Sequence, residues 1–161
     1  MLNECDLAKY IEKAIQLRLA GYEILLEHTL DEIISCANGI GPASFPDWLR
    51  EKIDRANPTL APAAVIHDLR YEYGKGTRAD FLQANADLEI NGKLLADDAY
   101  GPCNPARYWV RFKAHEFRKA CDKFGYSAYL KAINLHLAKT VEKAIPGAGK
   151  IVDPPIDDAN G

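Results

Sequence analysis

No stretch of the chain approaches the ~18 consecutive apolar residues of a membrane-spanning helix. No run alternates apolar and polar residues long enough to make a strand, so a sheet is not expected. The four cysteines (Cys5, Cys36, Cys103 and Cys121) include no C-x-x-C pair, which argues against a cysteine-built zinc site. They are also too few for a disulfide scaffold and read as small buried hydrophobes, with a single disulfide left open. Internal repeats and low-complexity core segments are absent. Glu4, Asp6 and the charges after them give the first 20 residues no signal-peptide pattern. The expectation is therefore a protein cytoplasmic at synthesis, or one released by something other than classical secretion.

What remains is an ordinary globular composition, 48% hydrophobic and 27% charged, which opposes disorder and fibrous folds. Length favours one domain over 1–145, with 146–161, rich in Pro, Gly, Asp and Asn, as a loosely held tail. The net charge of −3 is unevenly spread. Residues 1–104 carry 10 basic and 17 acidic side chains, whereas residues 105–150 carry 10 basic and 3 acidic. Such a basic segment either meets phosphate groups or faces the acidic half of its own chain.

Hydrophobic spacing predicts an all-α fold. Helices are expected over about 5–19, 22–36, 47–56, 61–73 and 78–90, the last broken or kinked at Asn91-Gly92. Pro62 is tolerated in a first turn, Gly74 and Gly76 close one helix, and Thr77 caps the next. Val110, Ala114, Phe117, Cys121 and Phe124 form one stripe; Leu130, Ile133, Leu137, Val141 and Ala144 form another. They predict a packed antiparallel pair turning at Gly125. Trp48 and Trp109 are expected as core anchors; His28, His115 and His136 as surface or boundary residues.

The chemistry concentrates in Ala63-Ala64-Val65-Ile66-His67-Asp68-Leu69-Arg70-Tyr71. His67 and Tyr71, four apart, share a helix face, and Asp68 is turned ~100° away. An imidazole base beside a metal-holding carboxylate is what metal-assisted ester hydrolysis requires. The loop Ala37-Asn38-Gly39-Ile40-Gly41 could turn backbone oxygens toward a hard cation such as Ca²⁺. Ala79-Asp80 on the following helix could hold the imidazole in one tautomer if the two helices form an antiparallel hairpin. Each feature has a plainer alternative: His67 as a satisfied core residue, the loop as a helix end, and Thr77-x-x-Asp80 as a capping box. Asp87, seven residues on, is the reserve for orienting His67.

His67-Asp68-x-x-Tyr71, with Asn38-Gly39-Ile40-Gly41 before it and Ala79-Asp80 after it, resembles the phospholipase A2 superfamily. The nearest pattern is the cysteine-poor form of parvovirus capsid domains and phage-encoded proteins. The latter share an Ala-Ser-x-Pro segment, here Ala43-Ser44-Phe45-Pro46. The resemblance covers about residues 37–90. It implies a Ca²⁺-dependent hydrolase of the sn-2 ester of phospholipids. His67 would be the general base, Asp68 and the carbonyls of Ala37, Gly39 and Gly41 the Ca²⁺ ligands, Asp80 the residue orienting His67, and Tyr71 its brace. The partner would be a phospholipid membrane surface approached through the basic segment.

The alternative is a non-catalytic phage structural or interaction protein on the same fold. A nucleic-acid module using Arg107, Arg111, Arg118, Lys119 and Lys123 is set aside, because no helix-turn-helix or zinc motif accompanies those residues.

Overall fold

The computed structural model describes residues 4–37, 52, 53 and 55–144. Among them the chain is all-α. The helices are α1 (Glu4–Gln16), α2 (Ile24–Glu27), α3 (Leu30–Cys36), α4 (Ala61–Tyr73), α5 (Arg78–Ala99), α6 (Pro105–Phe124) and α7 (Tyr126–Ala144), with a 3-10 turn at Pro58–Leu60. Of the helix expected over 47–56, the described residues 52, 53, 55 and 56 are helical. The tail over 146–161 and Trp48 lie outside the described residues.

The core is organised around α4. Ala61, Ala63, Ala64, Val65, Ile66 and Leu69 are all buried. A helix apolar around most of its girth cannot face water on any side. α1, α2 and α3 accordingly pack on it from the N-terminal half, and α5 and α7 from the other. Leu7, Leu19, Leu25 and Ile33 close the main cluster over Val65, Ile66 and Leu69. Phe81, Tyr129 and Ile133 form a second, mainly aromatic cluster with Tyr71 at its edge.

Three expectations are corrected. The single helix over 22–36 is two, because Thr29 caps α3 and forms a reciprocal capping box with Glu32. Two satisfied backbone donors there compete with a continuous helix. In contrast, α5 runs without interruption through Asn91-Gly92. Asn91 is fully buried and pairs with both backbone groups of Ala20: Oδ1 accepts from its N–H at 2.6 Å, and Nδ2 donates to its carbonyl at 3.0 Å. Gly92 is where α6 crosses; a Cβ built there would lie 2.5 Å from Cβ of Ala114. Glycine persists inside this helix because the neighbouring helix occupies the missing side chain's space.

The third correction concerns the C-terminal pair. α6 and α7 turn at Gly125 as expected, but α6 lies chiefly against α5 and α7 chiefly against α4. Phe124, Leu137 and Val141, expected in the seam between them, are exposed, and so is Trp109. Tyr129 is the residue fully buried on α7 instead. Three arginines of α6 answer the acidic half of the chain: Arg107 and Arg111 bind Asp97, and Arg118 binds Glu89. Cys36 is buried and Cys121 half-buried, but Cys5 and Cys103 are exposed, and all four are free thiols.

Glu89 is buried at the α5–α6 contact and accepts from Lys93, from His115 at 3.2 Å and from Arg118 at 3.0 Å. Burial alone would raise its carboxyl pKa; the bonds from Lys93, Arg118 and His115 outweigh that and hold it at about 2.

Two outcomes follow from these contacts. Gly92→Ala should lose about 1–3 kcal/mol of stability, the usual cost of overpacking, despite alanine's better helix propensity. Adding Ala114→Gly should recover part of the loss in urea denaturation; a more stable Gly92→Ala protein would contradict the close crossing. For Glu89, the folded-state pKa lies below the unfolded one. The stability it contributes is therefore complete above pH about 4.5 and disappears as pH falls toward about 2. Denaturation midpoints should fall less steeply across that interval in Glu89→Gln than in the native protein.

Candidate functional site

His67 sits in the middle of α4, so the apolar packing that buries this helix buries the ring as well, to 8% exposure. Burial of an imidazole demands partners for both nitrogens. Nε2 lies 2.9 Å from Oδ1 of Asn85 on α5. Nδ1 lies 3.9 Å from Oδ1 of the neighbouring Asp68. One turn further along α4, Tyr71 stacks obliquely on the ring at 4.2 Å and donates its hydroxyl to the same Asn85 oxygen at 2.9 Å. Asn85 is fully buried, and its Nδ2 donates to Oδ1 of Asp122 on α6 at 2.8 Å. Cys121, next to Asp122, lies close enough to influence the ionisation of both His67 and Tyr71.

These bonds orient one another. A carboxylate only accepts, so the Asn85 face toward Asp122 must be its NH₂. Its carbonyl oxygen is then left to accept from both Tyr71 and His67. Nε2 of His67 must therefore carry a proton, in the neutral ring as in the charged one. The nitrogen that gains or loses a proton is Nδ1, on the Asp68 side. Burial pushes the His67 pKa down, but the contacts with Asp68 and Cys121 outweigh it and raise it to about 10. Burial, followed by the neighbouring Cys121, keeps the Tyr71 phenol protonated well above its ordinary range.

Of the residues predicted from sequence, His67, Asp68 and Tyr71 come together; Asp80 does not join them. Its carboxylate accepts from the backbone N–H of Lys75 at 2.9 Å, from the Tyr129 hydroxyl at 2.8 Å and from Arg70 at 3.3 Å. Burial would raise its pKa; the Lys75 N–H, Tyr129 and Arg70 lower it on balance. Thr77 accepts from the Asp80 N–H and caps α5, but the Asp80 carboxylate, which a capping box would return to Thr77, goes to the Lys75 N–H instead. The expected Asp80–His67 bond is replaced by Asn85–His67, and Tyr71 braces Asn85 rather than Asp80. The reason is helical phase: Asp80 in the first turn of α5 turns to the α4–α5 connection, and Asn85, five residues on, meets His67. Asp87, the reserve, binds Arg70 and Gln83 instead. Arg70 thus ties α4 to α5 at Asp80 and at Asp87.

The predicted calcium ligands are only partly within view. Ala37 is the C-cap of α3, a helix that packs against α4. Gly39 and Gly41 lie outside the described residues. Among the described residues no group of three or more His, Cys, Asp or Glu could hold a metal; Asp68 is a carboxylate lying beside Nδ1. No helix among them is long and apolar enough to cross a membrane.

Asn85 and Asp122 escaped the reading of the sequence. Asn85 carries a usable signal, being a polar residue at a position of α5 spaced for the core between Phe81 and Leu88. Asp122 carries none, because it lies 37 residues from its partner. Compared with protein-family models, with curated proteins and with solved structures, the chain matches none.

The linkage of His67 has a definite sign. Its folded-state pKa is raised, so the stability it contributes is full below pH about 6.5 and is lost as pH climbs toward about 10. Urea midpoints of the native protein should decline over that interval, and those of His67→Gln should decline less. Equal slopes would show that the ring is not held charged by Asp68 and Cys121.

Proposed function

We propose that the protein is a Ca²⁺-dependent hydrolase of the phospholipase A2 type, of phage or prophage kind, acting on the sn-2 ester of phospholipids. The observation that carries this reading is the 2.9 Å contact of His67 Nε2 with the buried Asn85 oxygen, which leaves Nδ1 on the Asp68 side. With Nε2–H committed to Asn85, the lone pair of the neutral ring is at Nδ1, beside a carboxylate suited to a hard cation. That is the arrangement a general base needs to take a proton from water while charge develops on a carbonyl oxygen nearby.

In this reading Nδ1 of His67 removes a proton from a water that attacks the ester carbonyl, and returns it to the departing alkoxide. The products are a fatty acid and a lysophospholipid. Asn85 keeps the ring from rotating and from adopting the other tautomer, and Tyr71 holds the Asn85 oxygen in place. A cation on Asp68 would polarise the ester carbonyl and, by neutralising that carboxylate, ease the proton from Nδ1. Asp68 would be its side-chain ligand, with Ala37, Gly39 and Gly41 the proposed carbonyl donors. Lys113 over Trp109 and Lys123 over Phe124 set exposed cation–aromatic pairs on α6, chemistry suited to an anionic lipid surface.

A second reading is a non-catalytic interaction protein, which the exposure of Trp109, Phe112 and Leu137 favours as a surface for a partner.

The test is release of fatty acid from mixed phospholipid micelles. The native protein should release it with calcium and not with chelator, and His67→Gln should remove at least ~10²-fold of the rate, the lower end of what general-base catalysis contributes, while remaining folded. Asp80→Asn should lower stability yet keep kcat within about twofold of the native value, since its carboxylate serves the α4–α5 connection. No calcium-dependent release by the native protein would remove the hydrolase reading.

A further inference from the structure

The bond that orients Asn85 comes from α6, outside the stretch in which the hydrolytic motif lies. Asn85 alone is ambiguous. An amide can turn its oxygen or its nitrogen toward His67 with little change in shape. With the nitrogen facing the ring, Nε2 would have to accept, the neutral ring would be protonated at Nδ1, and no lone pair would remain on the Asp68 side. The choice is made by the carboxylate of Asp122, whose Oδ1 accepts from Nδ2 at 2.8 Å. Oδ2 of Asp122 is itself engaged by Nε of Arg118 at 3.4 Å, and Arg118 reaches on to buried Glu89 at 3.0 Å. The carboxylate therefore has one oxygen toward an external cation and one toward the amide.

We propose that Asp122 is a positioning residue for the His67 base: acting through the Asn85 amide, it selects the Nε2–H tautomer and leaves Nδ1 as the basic nitrogen. This rests on the hydrolytic reading for its purpose, but not for its physical content, which is where one proton resides. A carboxylate one amide removed from the ring fixes orientation as a direct carboxylate would, while placing its charge a further bond away. The arrangement also explains the depth of Asn85. A fully buried amide whose oxygen takes two donors and whose nitrogen meets a carboxylate is satisfied only in this one orientation.

The experiment reads the proton directly. In the full chain with ¹⁵N-labelled histidine, the long-range ¹H–¹⁵N spectrum identifies which ring nitrogen keeps its proton once His67 is neutral. The native protein should give Nε2–H. Asp122→Asn, whose new amide can either donate or accept, should give a mixture of tautomers or Nδ1–H, with an unchanged fold by circular dichroism. The double variant Asn85→Asp/Asp122→Asn puts an acceptor-only group directly on Nε2 and should restore Nε2–H. In the micelle assay, Asp122→Asn should lower kcat by about tenfold or more with KM unchanged, and the double variant should recover most of it. A pure Nε2–H signal in Asp122→Asn, or a native ring protonated at Nδ1, would overturn the proposal. Should the tautomers behave as stated while the native protein releases no fatty acid, the relay stands and the hydrolase reading falls. Should fatty acid be released while Asp122→Asn keeps the native tautomer and kcat, the relay falls and the hydrolase reading stands.

Discussion

A fully buried side-chain amide has little freedom, because leaving any of its groups unsatisfied costs about 1–3 kcal/mol. Asn85 meets that constraint by drawing on two other helices at once: His67 and Tyr71 from α4, and Asp122 from α6. Asn85 thereby ties the three helices to one another. Six residues further along α5, Asn91 imposes a like condition on the N-terminal segment through the backbone of Ala20. Apolar burial brings α1, α4, α5 and α6 together, and these two amides decide how they sit.

The same constraint links packing to chemistry. A core of small residues on α4 lets neighbouring helices approach, and Gly92 lets α6 cross α5 closely near Ala114. That approach carries Asp122 up to Asn85 and Cys121 toward the histidine. Burial of the Nε2 side of the ring against the fully buried Asn85 then turns a weak preference between tautomers into a fixed one. A site read at first as a pairing of neighbouring helices is in fact built from three.

The histidine, its adjacent carboxylate and its tyrosine were legible from spacing, because residues one and four apart on a helix have their relation set by backbone geometry. The all-α architecture and the limits of α4 were legible for a similar reason: Pro62, Gly74 and Thr77 act locally. Asp80 misled because it stands in a plausible position by count, and its neighbours Thr77 and Lys75 claim it through bonds equally local. The break expected at Asn91-Gly92 failed for the opposite reason. Local preference there is overruled by Ala20 and Ala114, partners 71 and 22 residues away. Trp109 and Phe124 were expected inside on the strength of their apolarity, but α6 gives its inner face to Ala114 and Phe117.

The linear order of residues determined which helices form, where most of them stop, and which imidazole and carboxylate stand side by side. Those are consequences of backbone dihedrals and hydrogen bonds reaching no more than one turn along the chain. The group that the imidazole faces, the direction of its proton and the exposure of the C-terminal aromatics were decided by tertiary structure alone. Each depends on how closely two helices approach and at what rotation, and that is set by side chains tens of residues apart competing for the same volume.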